Sequence, residues 1–264
     1  MATLLLKNAD MLVTMDGERR EIADGGLYAE DGVITMVGPT ASLPQTADQV
    51  IDASGQIVLP GFVNTHHHLN QTLTRNLPAA QNNNLFPWLK AHYRIWAKTG
   101  PEASRTSALI GLAELALSGC TTVFDHSYLF RSGNKVDYQI EAARDLGVRF
   151  HASRGSMSLG EYKGGLLERF GKRPVDWMEG LDWLGEDVWF AHAIHVDDEE
   201  ITKFSHTGCG AAHCPCSNMR LASGIAPIKK YMKAGIRVGL GVDGSASNDS
   251  SNILLEARQA MLLA

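Results

Sequence analysis

The residues of this 264-residue chain best suited to chemistry are the run Thr65-His66-His67-His68-Leu69-Asn70-Gln71. On an extended strand, side chains two apart share a face, so His66 and His68 project together while His67 turns away. Two imidazoles at that spacing can chelate one divalent ion. The plainer alternative is an exposed polar turn, but the triplet follows the apolar run 57–63 rather than standing at a terminus. A second candidate, Asp243, directly follows the Gly-rich apolar stretch 238–242. A carboxylate there can ligate a metal and take a proton from water; the alternative is an Asx turn or helix cap. In the run 189–196, His192 and His195 differ in parity, so a regular strand shows only one of them to the interior. His192 is expected to be the inward one, because it lies deeper in the apolar stretch. His126, His151, Arg154 and His213 also end or follow strand-like runs and are possible pocket residues.

Cys214 and Cys216 beside His213 raise the option of a structural zinc site. Parity opposes it, since His213 faces away from both thiols on a strand, and no second closely spaced cysteine pair exists.

These candidates need a scaffold that brings distant segments to one place. Residues 1–58 read as short strands with turn signals, including Asp31-Gly32, and predict a small antiparallel β domain of sandwich type. After Pro60 come six short apolar runs, near 62–68, 120–126, 148–154, 188–196, 209–217 and 237–245. Amphipathic stretches such as 101–119 and 136–147 separate them, each closing with Gly. Strand and helix in alternation predict a parallel β/α domain over 59–264, of the TIM-like (β/α) barrel class. Six strands are two short of a closed barrel. The stretch from Glu161 to Asp187 supplies no strand run, and the chain stops at Ala264 inside an apolar helical pattern. The expectation is a barrel lacking two βα units near 161–166 and cut short at its C-terminus.

Composition narrows the partners. With 24 Lys+Arg against 29 Asp+Glu, the net charge of −5 offers no attraction to nucleic acid or to an anionic membrane. Lys7, Asp10 and Asp16 interrupt any secretory apolar stretch, and no window approaches a spanning helix. Four cysteines are too few for a disulfide framework. A soluble cytoplasmic protein with reduced thiols and a small-molecule substrate is expected, with a homo-oligomer left open.

The ordered segments 58–75, 191–196, 212–221 and 239–249 resemble the metal-dependent amidohydrolase superfamily, and within it the branch that deaminates purines, pterins and triazines. That resemblance implies one zinc ion per chain, with iron as the alternative, held by His66, His68 and Asp243. It implies that Asp243 and His192 act in catalysis, that Gln71 contacts the heterocycle, and that Trp88, in the segment 85–96 read as a loop, covers the ring. The implied substrate is an amino-substituted purine-like ring, 8-oxoguanine foremost, with guanine or a hydroxytriazine as alternatives. The family also carries a third histidine ligand and a general-acid glutamate in an HxxE motif on its fifth strand. This sequence has no HxxE there, so a non-catalytic remnant is the competing reading.

Overall fold

The computed structural model describes residues 2–155, 168 and 170–264. The junction expected between Glu161 and Leu166 lies outside these residues. The chain divides into two compact units, Met1–Gly61 and Phe62–Ala264.

The first unit is built on one five-stranded sheet of β1 (Thr3–Val13), β2 (Glu21–Glu30), β3 (Val33–Pro39), β4 (Gln49–Asp52) and β5 (Ile57–Val58). Asp31 and Gly32, at φ of 47° and 81°, form the hairpin turn between β2 and β3, the left-handed pair that such a tight turn demands. The sheet is mixed rather than antiparallel. After β3 the chain returns along the far side of β1, so that β4 and β5 each pair with β1 in parallel.

The second unit alternates strand and helix. Its strands are β6 (Phe62–Asn64), β7 (Cys120–Ser127), β8 (Arg149–Arg154), β9 (Trp189–Ala191), β10 (Gly210–His213) and β11 (Val238–Leu240). Its helices are α1 (Leu85–Trp96), α2 (Pro101–Leu117), α3 (Asp137–Leu146), α4 (Pro174–Glu179), α5 (Asp198–Thr207), α6 (Pro215–Arg220), α7 (Ile228–Lys233), α8 (Ser245–Asn248) and α9 (Ile253–Leu263). Local chemistry sets their ends. Asp197 and Glu200 form a reciprocal capping box at the start of α5, at 2.9 and 3.1 Å. Gly147 and Gly208 take the left-handed conformation that closes α3 and α5. Residues 85–96 form a helix rather than a loop, because Trp88, His92 and Trp96 recur at i, i+4 and i+8 and stack on one buried face.

All strand pairings in this unit are parallel, in the orders β6-β7-β8 and β9-β10-β11. Hydrogen bonds beyond the regular ladders join the two sheets: Thr65 N donates to Leu240 O at 2.9 Å and Asp243 N to His66 O at 3.0 Å. The continuous order is therefore β9-β10-β11-β6-β7-β8. One apolar core, with Leu112, Leu115, Val123 and Ala142, lies between β7, α2 and α3. A second, with Ile201, Phe204, Ala211 and Tyr231, lies between β10, α5 and α7. Among the described residues no helix is long and apolar enough to cross a membrane.

Candidate metal centre

The two strands that meet at the β6–β11 joint carry the candidate residues just past their carboxyl ends. Strand β6 ends at Asn64, yet residues 65–67 stay extended because neighbours on both sides hold them. Thr65 and His66 bond to the β11 side, and His67 O accepts from His126 N at 2.8 Å on the β7 side. The alternation expected of a strand therefore persists. His66 and His68 point together, their rings 4.7 Å apart, while His67 points away to bond Ser251 Oγ at 3.0 Å.

Asp243 sits at φ 58°, three residues past the end of β11. Its Oδ1 lies 3.4 Å from His66 Nε2 and 3.3 Å from His68 Nε2. Its Oδ2 accepts from Ser217 Oγ at 2.5 Å and Ser247 Oγ at 3.1 Å. His192 also follows its strand with a left-handed backbone, φ 66°. The strand ends at Ala191, so a tight turn aims this imidazole, and strand parity does not decide between His192 and His195. Its Nδ1 meets Asn218 Oδ1 at 2.8 Å, leaving Nε2 to face Asp243 Oδ2 at 3.9 Å. One ligand atom each from His66, His192 and Asp243 lie within 4.8 Å of one another, close enough to share an ion. His68 reaches the same carboxylate oxygen, so all four residues converge.

Their electrostatics suit a cation. Burial opposes charge on Asp243, but the close approach of the His66, His192 and His68 imidazoles outweighs it and holds the carboxyl well below its usual range. Burial, reinforced by His66, pushes His68 down to about 3, leaving it neutral as a ligand must be. Its Nδ1 donates to His126 O at 2.9 Å, which frees Nε2 for coordination. The test of fit is hydrogen bonding. His66 Nε2 and Asp243 Oδ1 are buried with no hydrogen-bond partner, a costly state that a bound divalent cation would relieve. An N,N,O donor set of this kind suits zinc and also iron.

A cavity of about 590 Å³ opens on this cluster, with His68, Gln71, Trp88, His192, Asn218 and Asp243 in its wall. Gln71 Nε2 donates to Tyr128 Oη at 3.1 Å, while its Oε1 is buried and unpartnered. Gly244 makes room for this side chain, because a Cβ there would collide with Gln71 Oε1. Trp88 is 3% exposed and wedged against His92 and Trp96, so it forms fixed wall rather than a movable cover. Phe86, 72% exposed, stands at the same cavity. His126 and His151 flank a second cleft that also reaches His66, and the Arg154 guanidinium stacks 4.5 Å from the Phe130 ring. Among the described residues, Cys214 and Cys216 join no group able to hold a metal. Sequence reasoning missed Tyr128, Ser217 and Asn218, whose roles arise only where separate loops meet.

Comparison with known proteins agrees with this architecture. The amidohydrolase family profile matches residues 57–169 and 164–264. An 8-oxoguanine deaminase of Pseudomonas aeruginosa is 39% identical, over 91% of this chain and 72% of its own length. A hydroxydechloroatrazine ethylaminohydrolase of Pseudomonas sp. strain ADP is 30% identical, over 100% of this chain and 73% of its own. Among solved structures, an atrazine chlorohydrolase from Arthrobacter aurescens complexed with zinc superposes with a TM-score of 0.85 at 28% identity, covering 98% of this chain and 76% of that one. On the profile match and these identities, the chain belongs to the amidohydrolase family.

Proposed function

We propose that this chain is a metal-dependent aminohydrolase that removes an amino group from a purine-like heterocycle, with 8-oxoguanine the first substrate to test and guanine or a hydroxytriazine next. The carrying observation is the pair of buried, unpartnered atoms, His66 Nε2 and Asp243 Oδ1, with Asp243 in the wall of a cavity of ring size. The likeness to the 8-oxoguanine deaminase favours the purine, and the likeness to the ethylaminohydrolase supports the triazine.

In this reading His66, His68 and Asp243 hold one zinc or iron ion, with His192 beside it. The ion supplies Lewis acidity that makes water a nucleophile near neutral pH. Asp243, kept ionised and fixed through Oδ2 by Ser217 and Ser247, accepts the proton released as water attacks the amino-bearing ring carbon. His192, locked by Asn218, presents Nε2 toward the same point. Gln71 offers its free Oε1 to a ring N–H, and Trp88 and Phe86 flank the ring.

Protonation of the ring and of the departing amine is the weak step. Asp243 is the only carboxylate among the described residues of the cavity wall. A missing general acid typically costs about 10²–10⁴ in rate. The alignment with the ethylaminohydrolase runs over 353 positions although this chain has 264 residues, so about 90 positions have no residue here. The family profile also breaks into two matches that meet at 164–169. Both observations support a barrel lacking two βα units and, with them, the HxxE motif. They equally favour a second reading, a metal-binding remnant without turnover.

The test is ammonia release from 8-oxoguanine, guanine and a hydroxytriazine by the zinc-loaded chain, alongside Asp243→Asn. Slow release that Asp243→Asn abolishes supports the enzyme. Stoichiometric zinc without release supports the remnant, and no zinc defeats both.

A further inference from the structure

We propose that Glu256, on α9 and outside the cavity wall, is a positioning residue whose carboxylate clamps together the two short helices that aim Asp243 and His192. The inference rests on the metal-site reading above, and one arm of its test reads the chain without metal so that the two can fail separately.

Both Asp243 and His192 are oriented from helices too short to stand alone. Ser217 and Asn218 lie on α6, six residues long, and Ser247 on α8, four residues long. Helices of this length gain little from their own hydrogen bonds and depend on contacts from elsewhere in the fold. Neither is capped by the side chain of the residue that precedes it, Cys214 for α6 and Gly244 for α8. Yet these helices hold the site. Ser217 Oγ and Ser247 Oγ donate to Asp243 Oδ2 at 2.5 and 3.1 Å, and Asn218 Oδ1 lies 2.8 Å from His192 Nδ1. A shift of α6 would disturb Asp243 and His192 together.

Glu256 supplies what the two helices lack. Pro215 has no N–H, so Cys216 N is the first amide of α6 that needs an acceptor, and Glu256 Oε2 accepts from it at 3.2 Å. The other oxygen, Oε1, accepts from Asn248 Nδ2 at 2.7 Å, at the last residue of α8. The same Asn248 amide donates to Val242 O at 2.5 Å. One carboxylate thus reaches the residue before Ser217, the residue after Ser247 and, through Asn248, the residue before Asp243. Glu256 is 0% exposed, so water cannot stand in for it. Its own helix is well anchored: Ile253 packs in the core with Leu112 and Leu115, and Asn252 Oδ1 accepts from Leu254 N at 3.0 Å. An outer tie between α6 and α8, Arg220 to Asp249 at 3.1 Å, is partly solvated and correspondingly weak. A buried acid costs stability that an apolar side chain of its size would not, and the hydrogen bonds of this one go to the helices that serve the site.

The test is Glu256→Gln, which keeps size and shape but turns an N–H toward one of the two donors. Ile253→Val is the control, since it loosens the same helix and leaves both bonds in place. The first readout is nitrogen NMR of the His192 ring in the metal-free chain. One fixed tautomer is expected in the unaltered chain and in Ile253→Val, and averaged ring nitrogens in Glu256→Gln. The second readout is zinc affinity, which Glu256→Gln should weaken about 10-fold and Ile253→Val should leave nearly unchanged. In a Ser217→Ala, Ser247→Ala background most of that loss should vanish, because the clamp acts through those hydroxyls. Asn248→Ala removes one arm of the clamp, should give the same pattern more weakly, and decides the matter if Glu256→Gln does not fold. An averaged His192 ring in the unaltered chain, a fixed one in Glu256→Gln, an equal response from Ile253→Val, or an undiminished zinc loss in the double-serine background would overturn the proposal. A chain that binds no zinc defeats the metal reading, and the His192 ring still decides the clamp.

Discussion

His66 Nε2 and Asp243 Oδ1 stand 3.4 Å apart, both buried, and neither has a hydrogen-bond partner. Leaving such atoms unpaired costs about 1–3 kcal/mol each, so the cluster gains from any ion that satisfies them. Zinc at about 100 times its Kd should stabilise the fold by about 2.7 kcal/mol, read as a rise in Tm. His66→Ala and Asp243→Ala should each abolish the zinc-dependent rise and lower bound zinc at least tenfold by elemental analysis. Cys214→Ala should leave zinc binding unchanged, the opposite of what a cysteine-held ion would give.

Asn218 acts on His192 from the side remote from Asp243. Its replacement by Ala frees the imidazole to rotate without removing it. We expect a fall of about 10–100-fold in kcat with KM little changed, as for other partners that orient a histidine. A kinetic split showing KM rising instead would place Asn218 in substrate binding.

Gly244 borders Gln71 so closely that any side chain must evict the amide. Gly244→Ala should raise KM for the heterocycle and destabilise the fold by about 1–3 kcal/mol, the usual cost of overpacking. In a Gln71→Ala background the same substitution should cost much less, because the obstructing amide is gone. Equal costs in both backgrounds would show that the clash lies elsewhere.

Asp125 is buried, accepts one hydrogen bond from Leu69 N, and has its Oδ2 unpartnered. Burial pushes its carboxyl up to about 7. The folded state thus binds a proton that the unfolded chain releases near 3.9. Its contribution to stability is fully present below about pH 4 and lost as pH rises through about 7. Burial acts in the opposite sense on His67, held near 3, which favours folding as pH rises. The clean comparison is therefore the difference between wild type and Asp125→Asn. The variant should gain on the wild type by the order of 2–4 kcal/mol between pH 4 and 8 in denaturant unfolding.

The sequence revealed most where local geometry alone decides. The His66/His68 pairing was legible because neighbours keep residues 65–67 extended past the end of β6, so alternation survives. The Gly closure of α3 was readable for similar reasons. His192 was singled out for its depth in the apolar stretch, whereas a left-handed turn after Ala191 is what aims it. The segment around Trp88 was read as a loop because its pattern is aromatic rather than cleanly amphipathic, and only tertiary packing shows the shared face. Tyr128, Ser217 and Asn218 left no signal, because each matters through a partner brought close by the fold. Tyr128 meets Gln71, 57 positions away.

The bond between Thr65 and Leu240 joins residues 175 apart in the sequence. A loop of that length closes slowly, and among the described residues before position 200 no carboxylate joins the cluster in place of Asp243. During synthesis, the paired imidazoles of residues 66 and 68 must therefore wait on the ribosome until residue 243 has emerged. If the proposed ion is held by this cluster, its capture follows the emergence of Asp243, and a translation product halted before residue 243 should leave the ribosome without it.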